Sequence, residues 1–133
     1  ILDCDVHYGN GTDDIVKRLG VQGIRHHTMG AHFRHRDEAS LFEQWLDRAI
    51  EDCRGVDLLI YQAGADPHVN DPLGKVLTGV QMAKRDHAVF SAFQGRPLVW
   101  NLAGGYQRDV NGGIEPVLKL HRTTAQIQNI YQP

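Results

Sequence analysis

Asp3, Asp5 and His7 occupy alternate positions in the opening stretch Ile1-Leu2-Asp3-Cys4-Asp5-Val6-His7-Tyr8-Gly9-Asn10-Gly11. A strand has a side-chain period of two, so Leu2, Cys4 and Val6 fall on one face and the polar set on the other. Such alternation is ordinary for a strand with one wet face, but carboxylates combined with an imidazole are ligands that divalent metals take. Asp66, at the end of a second apolar run and before Pro67, is a third residue of suitable type. Asp5, His7 and Asp66 would balance a dication and leave positions open for water and substrate, as a catalytic site requires. A metal so held polarises a carbonyl and lowers the pKa of the attacking water. Asp3 lies deeper on the same face, and a buried carboxylate there needs a partner, either a second cation or a histidine it orients. Tyr106 follows Gly104-Gly105, a pair that permits close backbone approach, and its phenol is a candidate donor to a developing oxyanion. Taken singly, Asp66 is an ordinary turn residue before proline, and Tyr106 an ordinary loop tyrosine.

Positioning these groups falls to alternating strands and helices. Thr12 can cap a short helix over Asp13 to Leu19, stopped by Gly20. An extended stretch from Gly23 to Thr28 carries His26-His27, and the His- and Arg-rich loop from Met29 to Arg36 reads as surface. Ser40-Leu41-Phe42-Glu43 has capping-box spacing. The helix after it aligns Leu41, Phe42, Trp45, Leu46, Ala49, Ile50 and Cys53 on one stripe, and Gly55 stops it. Leu58 to Ala63 is a nearly continuous apolar run, the mark of a strand buried on both faces. A second capping box, Thr78 to Gln81, opens a helix to about Phe93 with Val80, Ala83, His87 and Phe90 inward. Leu98 to Leu102 is another apolar strand, and the last helix has Pro116 in its first turn, where proline is tolerated. This order predicts an α/β fold, a parallel sheet with helices on both faces. Sites in such sheets gather at the carboxyl ends of the strands, where the Asp-, His- and Gly-rich segments fall.

The 133 residues suit a single domain, 1–133, with one core. A net charge of -2 gives no electrostatic footprint for nucleic acid or anionic membrane. No apolar run approaches a membrane-spanning length, and no signal-peptide pattern opens the chain. Two cysteines, Cys4 and Cys53, do not make a disulfide framework and fit a reducing cytoplasm. The sequence opens without Met in a strand that looks buried, which suggests a removed segment or a piece of a larger fold.

Three blocks carry a resemblance: Asp3-Cys4-Asp5-Val6-His7-Tyr8-Gly9-Asn10-Gly11-Thr12; Ala63-Gly64-Ala65-Asp66-Pro67-His68 with Asp71-Pro72-Leu73-Gly74; and Leu102-Ala103-Gly104-Gly105-Tyr106. In order and rough spacing they resemble signature blocks of the zinc-dependent histone deacetylase and acetylpolyamine amidohydrolase family. The resemblance implies the C-terminal half of an arginase/deacetylase-type fold and hydrolysis of an N-acetyl amide, on lysine or a polyamine, to amine and acetate. It implies zinc, or alternatively iron(II), on Asp5, His7 and Asp66, and Tyr106 as catalytic stabiliser of the tetrahedral intermediate. Asp3 would help hold a structural potassium ion with backbone carbonyls of the Asp5–His7 segment, and would orient an upstream histidine. Asn10 takes the place of the residue that steadies the second catalytic histidine. Gly9, where related arginases usually have aspartate, favours one metal over two.

The departures matter as much. The family's general base is a His-His pair ahead of the metal strand, and this sequence contains no such segment. His26-His27 lies downstream and is not assigned as base. The Gly-rich rim loop is shortened, so substrate preference does not carry over. A second reading is a non-catalytic module that binds metal or a partner. An exposed parallel edge with apolar helices implies a homodimer or a missing N-terminal half as partner.

Overall fold

Apolar runs of strand length separated by amphipathic helices fold here into a wholly parallel, four-stranded sheet in the computed structural model, which describes residues 1–33 and 35–132. The strands are β1 (Leu2–Asp3), β2 (His27–Thr28), β3 (Leu59–Ala63) and β4 (Leu98–Leu102), in the order β2-β1-β3-β4. The helices are α1 (Asn10–Leu19), α2 (Ala39–Cys53), α3 (Gly79–Ala92) and α4 (Glu115–Tyr131). This is the expected α/β architecture. Among the described residues no helix is long and apolar enough to cross a membrane.

Register decides what each face carries. Leu2 lies beside His27 and Tyr61, and Tyr61 beside Trp100, so these point to one side. There the Tyr61 ring meets Phe90 of α3 edge-on at 5.7 Å, and Phe90 meets Trp100 at 6.1 Å. α3 packs against both α2 and α4, which brings Phe42, Trp45, Ala49 and Ile127 into the same core. On the opposite side, the register partners Ile60 and Val99 are 38% and 57% exposed. The apolar run of β3 is therefore not buried on both faces within this chain. Hydropathy records that a face can be buried, and only packing records what covers it. α1 buries none of its residues.

Three local expectations are corrected. α1 starts at Asn10 on Gly9, ahead of the Thr12 cap, and ends as expected at Gly20 in the left-handed conformation. The Ser40 box does not form, because a 3-10 turn over Arg36–Glu38 runs straight into α2 and Ser40 is already helical. The Thr78 box does form: Gln81 N donates to Thr78 Oγ1, and Thr78 N to Gln81 Oε1 at 3.0 Å. The segment expected to be surface places Met29 and Phe33 in the core, Phe33 against Phe42 and Trp45; Arg34 lies outside the described residues.

The phase of α3 also differs. Its buried positions are Met82, Arg85, Asp86, Val89 and Phe90, whereas Val80 is 69% exposed; on α2, Leu41 is likewise exposed. Hydropathy places charged residues outside, and here two of them pair in the interior. Asp86 accepts hydrogen bonds from Arg85 Nε, Tyr61 and Thr124. Burial of such a pair is tolerated because its polar atoms are satisfied.

This phase makes a direct prediction. Phe90→Ala should cost roughly 3–5 kcal/mol in urea unfolding, as large-to-small changes in a closed core do. Val80→Ser should stay within about 0.5 kcal/mol, since that side chain faces solvent.

Candidate metal centre

Because the strands run parallel, the segments leaving β1, β3 and β4 emerge on one edge of the sheet. Regular pairing in β1 stops at Asp3, and the bend over Asp5 to His7 turns these side chains toward the end of β3. One ligand-type atom from each of Asp5, His7 and Asp66 lies within 4.8 Å of the others. His7 Nδ1 stands 2.9 Å from Asp5 Oδ1 and 2.9 Å from Asp66 Oδ2. His7 Nδ1 is hydrogen-bonded to Asp5 Oδ1, and Asp66 Oδ2 has no hydrogen-bond partner although it is buried. The other Asp66 oxygen accepts from Val6 N at 3.1 Å, and the Gly104 N–H donates to Asp5 Oδ2 at 2.7 Å.

Glycines leave room for this convergence. A Cβ at Gly104 would stand 2.3 Å from Asp66 Oδ2 and 2.7 Å from Asp5 Oδ2. One at Gly74 would collide with the Asp66 carbonyl oxygen. Gly105 serves α4 instead, where a Cβ would press on Val117. A buried, unpartnered carboxylate oxygen beside a second carboxylate and an imidazole is a donor set that fits a divalent cation.

The electrostatics without a cation are those of crowded acids. Burial, reinforced by the charge of Asp5, pushes the Asp66 carboxyl up to about 7. Burial opposes ionisation of Asp5 as well, but its neighbouring donors, the His7 amide first and the Gly104 amide with it, help hold Asp5 below the usual carboxylate range. Desolvation would lower His7, yet its two carboxylate neighbours prevail and raise it.

The other expected residues divide. Tyr106 stands beside the cluster, its half-exposed ring edge-on to His7 at 5.8 Å. Its amide donates to Asp71 Oδ2 at 2.7 Å, and Asp71 is fully buried. The sequence assigns Asp71 no role; its signal is a carboxylate opening the Asp71-Pro72-Leu73-Gly74 stretch. Asp3 is buried below the cluster, accepts from the Asp5 amide at 3.0 Å, and is raised chiefly by desolvation. Asn10 is exposed at the first position of α1. His26 Nδ1 pairs with Asp13 of α1 at 2.7 Å, while His27 Nε2 pairs with Asp52 of α2 at 2.9 Å. As neighbours near the start of a strand they point to opposite sides, so they do not form a paired base.

No family model matches the sequence. An uncharacterized protein of Picosynechococcus sp. is 25% identical over 146 aligned positions, covering 96% of this chain and 49% of that protein. A crystal structure of acetylpolyamine aminohydrolase from Burkholderia pseudomallei superposes with a TM-score of 0.69 at 20% identity, over 96% of this chain and 44% of that one. The chain thus spans about half the length of the relatives it matches, and it shares the fold of the aminohydrolase over that part.

The raised Asp66 has a signed consequence. Between the ordinary carboxylate value of 3.8 and about 7, the folded, metal-free protein holds a proton that the unfolded chain has released. Stability should therefore fall as pH rises through this window. Asp66→Asn should flatten the fall, as read from melting temperature in the presence of a chelator. Affinity for a divalent ion should rise over the same window, because binding displaces that proton.

Proposed function

We propose that this chain is the metal-holding part of a deacetylase-type amidohydrolase, with Asp5, His7 and Asp66 as ligands of zinc or, alternatively, iron(II). The observation that carries the reading is the convergence of their ligand atoms on the orphaned, buried oxygen of Asp66. When bound, the ion supplies a Lewis acid for the amide carbonyl and lowers the pKa of water. Asp5 and Asp66 supply the negative charge that holds it, and the Gly104 amide keeps Asp5 ionised and oriented. Tyr106, on a loop anchored through its own amide to Asp71, is the donor to the oxygen that gains charge as the amide is attacked. Asp3, with backbone carbonyls of the Asp5–His7 segment, is the candidate for the supporting potassium site, and Asn10 for an outer positioning role.

The substrate class is an acetylated amine, N-acetyl-lysine or an N-acetyl-polyamine, cleaved to amine and acetate. The base belongs to polypeptide outside this sequence, since His26 and His27 are each engaged by a carboxylate on a different helix. The open side of the sheet at Ile60 and Val99 supports association there, with an N-terminal half or a second copy. A cytoplasmic setting remains part of the proposal, on the cysteine usage alone.

Metal analysis of the purified chain should find about one zinc or iron per chain. Asp66→Ala should weaken binding at least about tenfold, the order seen when groups supporting a metal are removed. Equal binding by Asp66→Ala would remove the ligand assignment. Acetate release from acetyl-lysine or acetylspermidine should be undetectable for the chain alone. Turnover by it, lost in His26→Ala or His27→Ala, would overturn the incomplete-site reading.

A further inference from the structure

Arg85 is a fully buried cation with no place in the reaction described above. Its Nε donates to Asp86 Oδ1 at 2.9 Å, which sets the orientation of the guanidinium. Asp86 is fixed in turn by hydrogen bonds from Tyr61 on β3 and Thr124 on α4. From this anchored plane a single nitrogen, Nη1, reaches two backbone carbonyls, that of Gly64 at 2.8 Å and that of Cys4 at 3.3 Å. Cys4 is the residue before Asp5, and Gly64 lies two before Asp66. The guanidinium therefore ties together the ends of the two strands that supply all three ligands. The tie is short: a Cβ at Gly64 would stand 2.8 Å from Asp5 Cα. Each of those carbonyls lies just past the last register pair of β1 and β3, Asp3 beside Gln62, where the Cys4 amide makes the final ladder bond to the Gln62 carbonyl at 3.0 Å.

We propose that Arg85 is a positioning residue for the metal centre: by bridging the Cys4 and Gly64 carbonyls it sets the separation of Asp5 and His7 from Asp66. The inference rests on the ligand assignment above, but its mechanical part stands on the backbone alone. The Val6 amide donates to Asp66 Oδ1 across the same gap, so this bond reports the separation without any metal. Arginine is required rather than lysine, because one plane must hold Asp86 and both carbonyls at once. Charge alone does not accomplish that.

The test compares the wild-type chain with Arg85→Lys and with the double variant Arg85→Met/Asp86→Asn, which removes both members of the buried pair together. Two readouts are used: cobalt(II) titration followed by visible absorption, and hydrogen exchange of the metal-free protein. Both variants should bind cobalt at least tenfold more weakly, with a changed ligand-field spectrum. The Val6 amide should exchange at least tenfold faster while the Ile60 and Tyr61 amides keep their protection. Equal acceleration of Val6 and the β3 amides would overturn the proposal, because Arg85 would then stabilise the fold as a whole. Wild-type cobalt affinity and spectrum in the variants would overturn it too. Failure of the wild-type chain itself to bind cobalt sinks the ligand assignment instead, and Val6 exchange still decides whether Arg85 sets the gap.

Discussion

Burying the Asp66 carboxylate is the constraint around which the carboxyl edge of the sheet is arranged. A lone ionised carboxylate in the interior is strongly unfavourable, so it must take a proton, find donors or hold a cation. This one has a single backbone donor on one oxygen and none on the other. The backbone nonetheless closes around Asp66 through glycines, Gly64 and Gly104 facing its carboxylate and Gly74 its carbonyl oxygen. Any side chain at Gly74 or Gly104 would strike an Asp66 oxygen. The backbone is thus shaped to bring Asp5 and His7 within reach, at an electrostatic cost that a bound dication would offset.

A second buried charge system lies on the helical side of the same strands. Arg85 and Asp86 satisfy each other and take up Tyr61, Thr124 and two strand-end carbonyls. Burial pushes the Tyr61 phenol well above its ordinary value, so it remains a neutral donor to Asp86. Desolvation opposes the charge on Arg85, but the surrounding acidic groups, Asp86 first among them, together outweigh it and keep the guanidinium protonated. Two charged clusters therefore sit back to back across one pair of strand ends. One is electrically complete, whereas the other retains an open oxygen. Only the open one is suited to chemistry.

The sheet is also two-sided in an unequal way. Leu2, Tyr61 and Trp100 join the helical core, while Ile60 and Val99 stay open on the other side. The aminohydrolase that shares this fold is more than twice as long as the matched segment. Its likeness extends to the arrangement of strands and helices and, at 20% identity, goes no further than the fold.

Much of this was legible in the residues. Period-two polarity named Asp5 and His7, and the end of an apolar run before Pro67 named Asp66. Capping and proline rules located α3 and α4, and alternation of strand and helix determined the class, because these signals are local and depend on backbone sterics and hydrogen bonding. What tertiary structure alone decided was phase, cover and distance. Hydropathy put Val80 inside and did not count Arg85 and Asp86 among the inward residues, because it scores a charge without its partner; Tyr61 and Thr124 arrive from elsewhere in the chain. It read β3 as buried on both sides, because an apolar face looks the same whether or not anything covers it. It gave Asp71 no role, since only the fold brings the Tyr106 amide to it. The sequence by itself determined which groups could bind a cation. The parallel register and the buried charges beneath it decided that those groups meet.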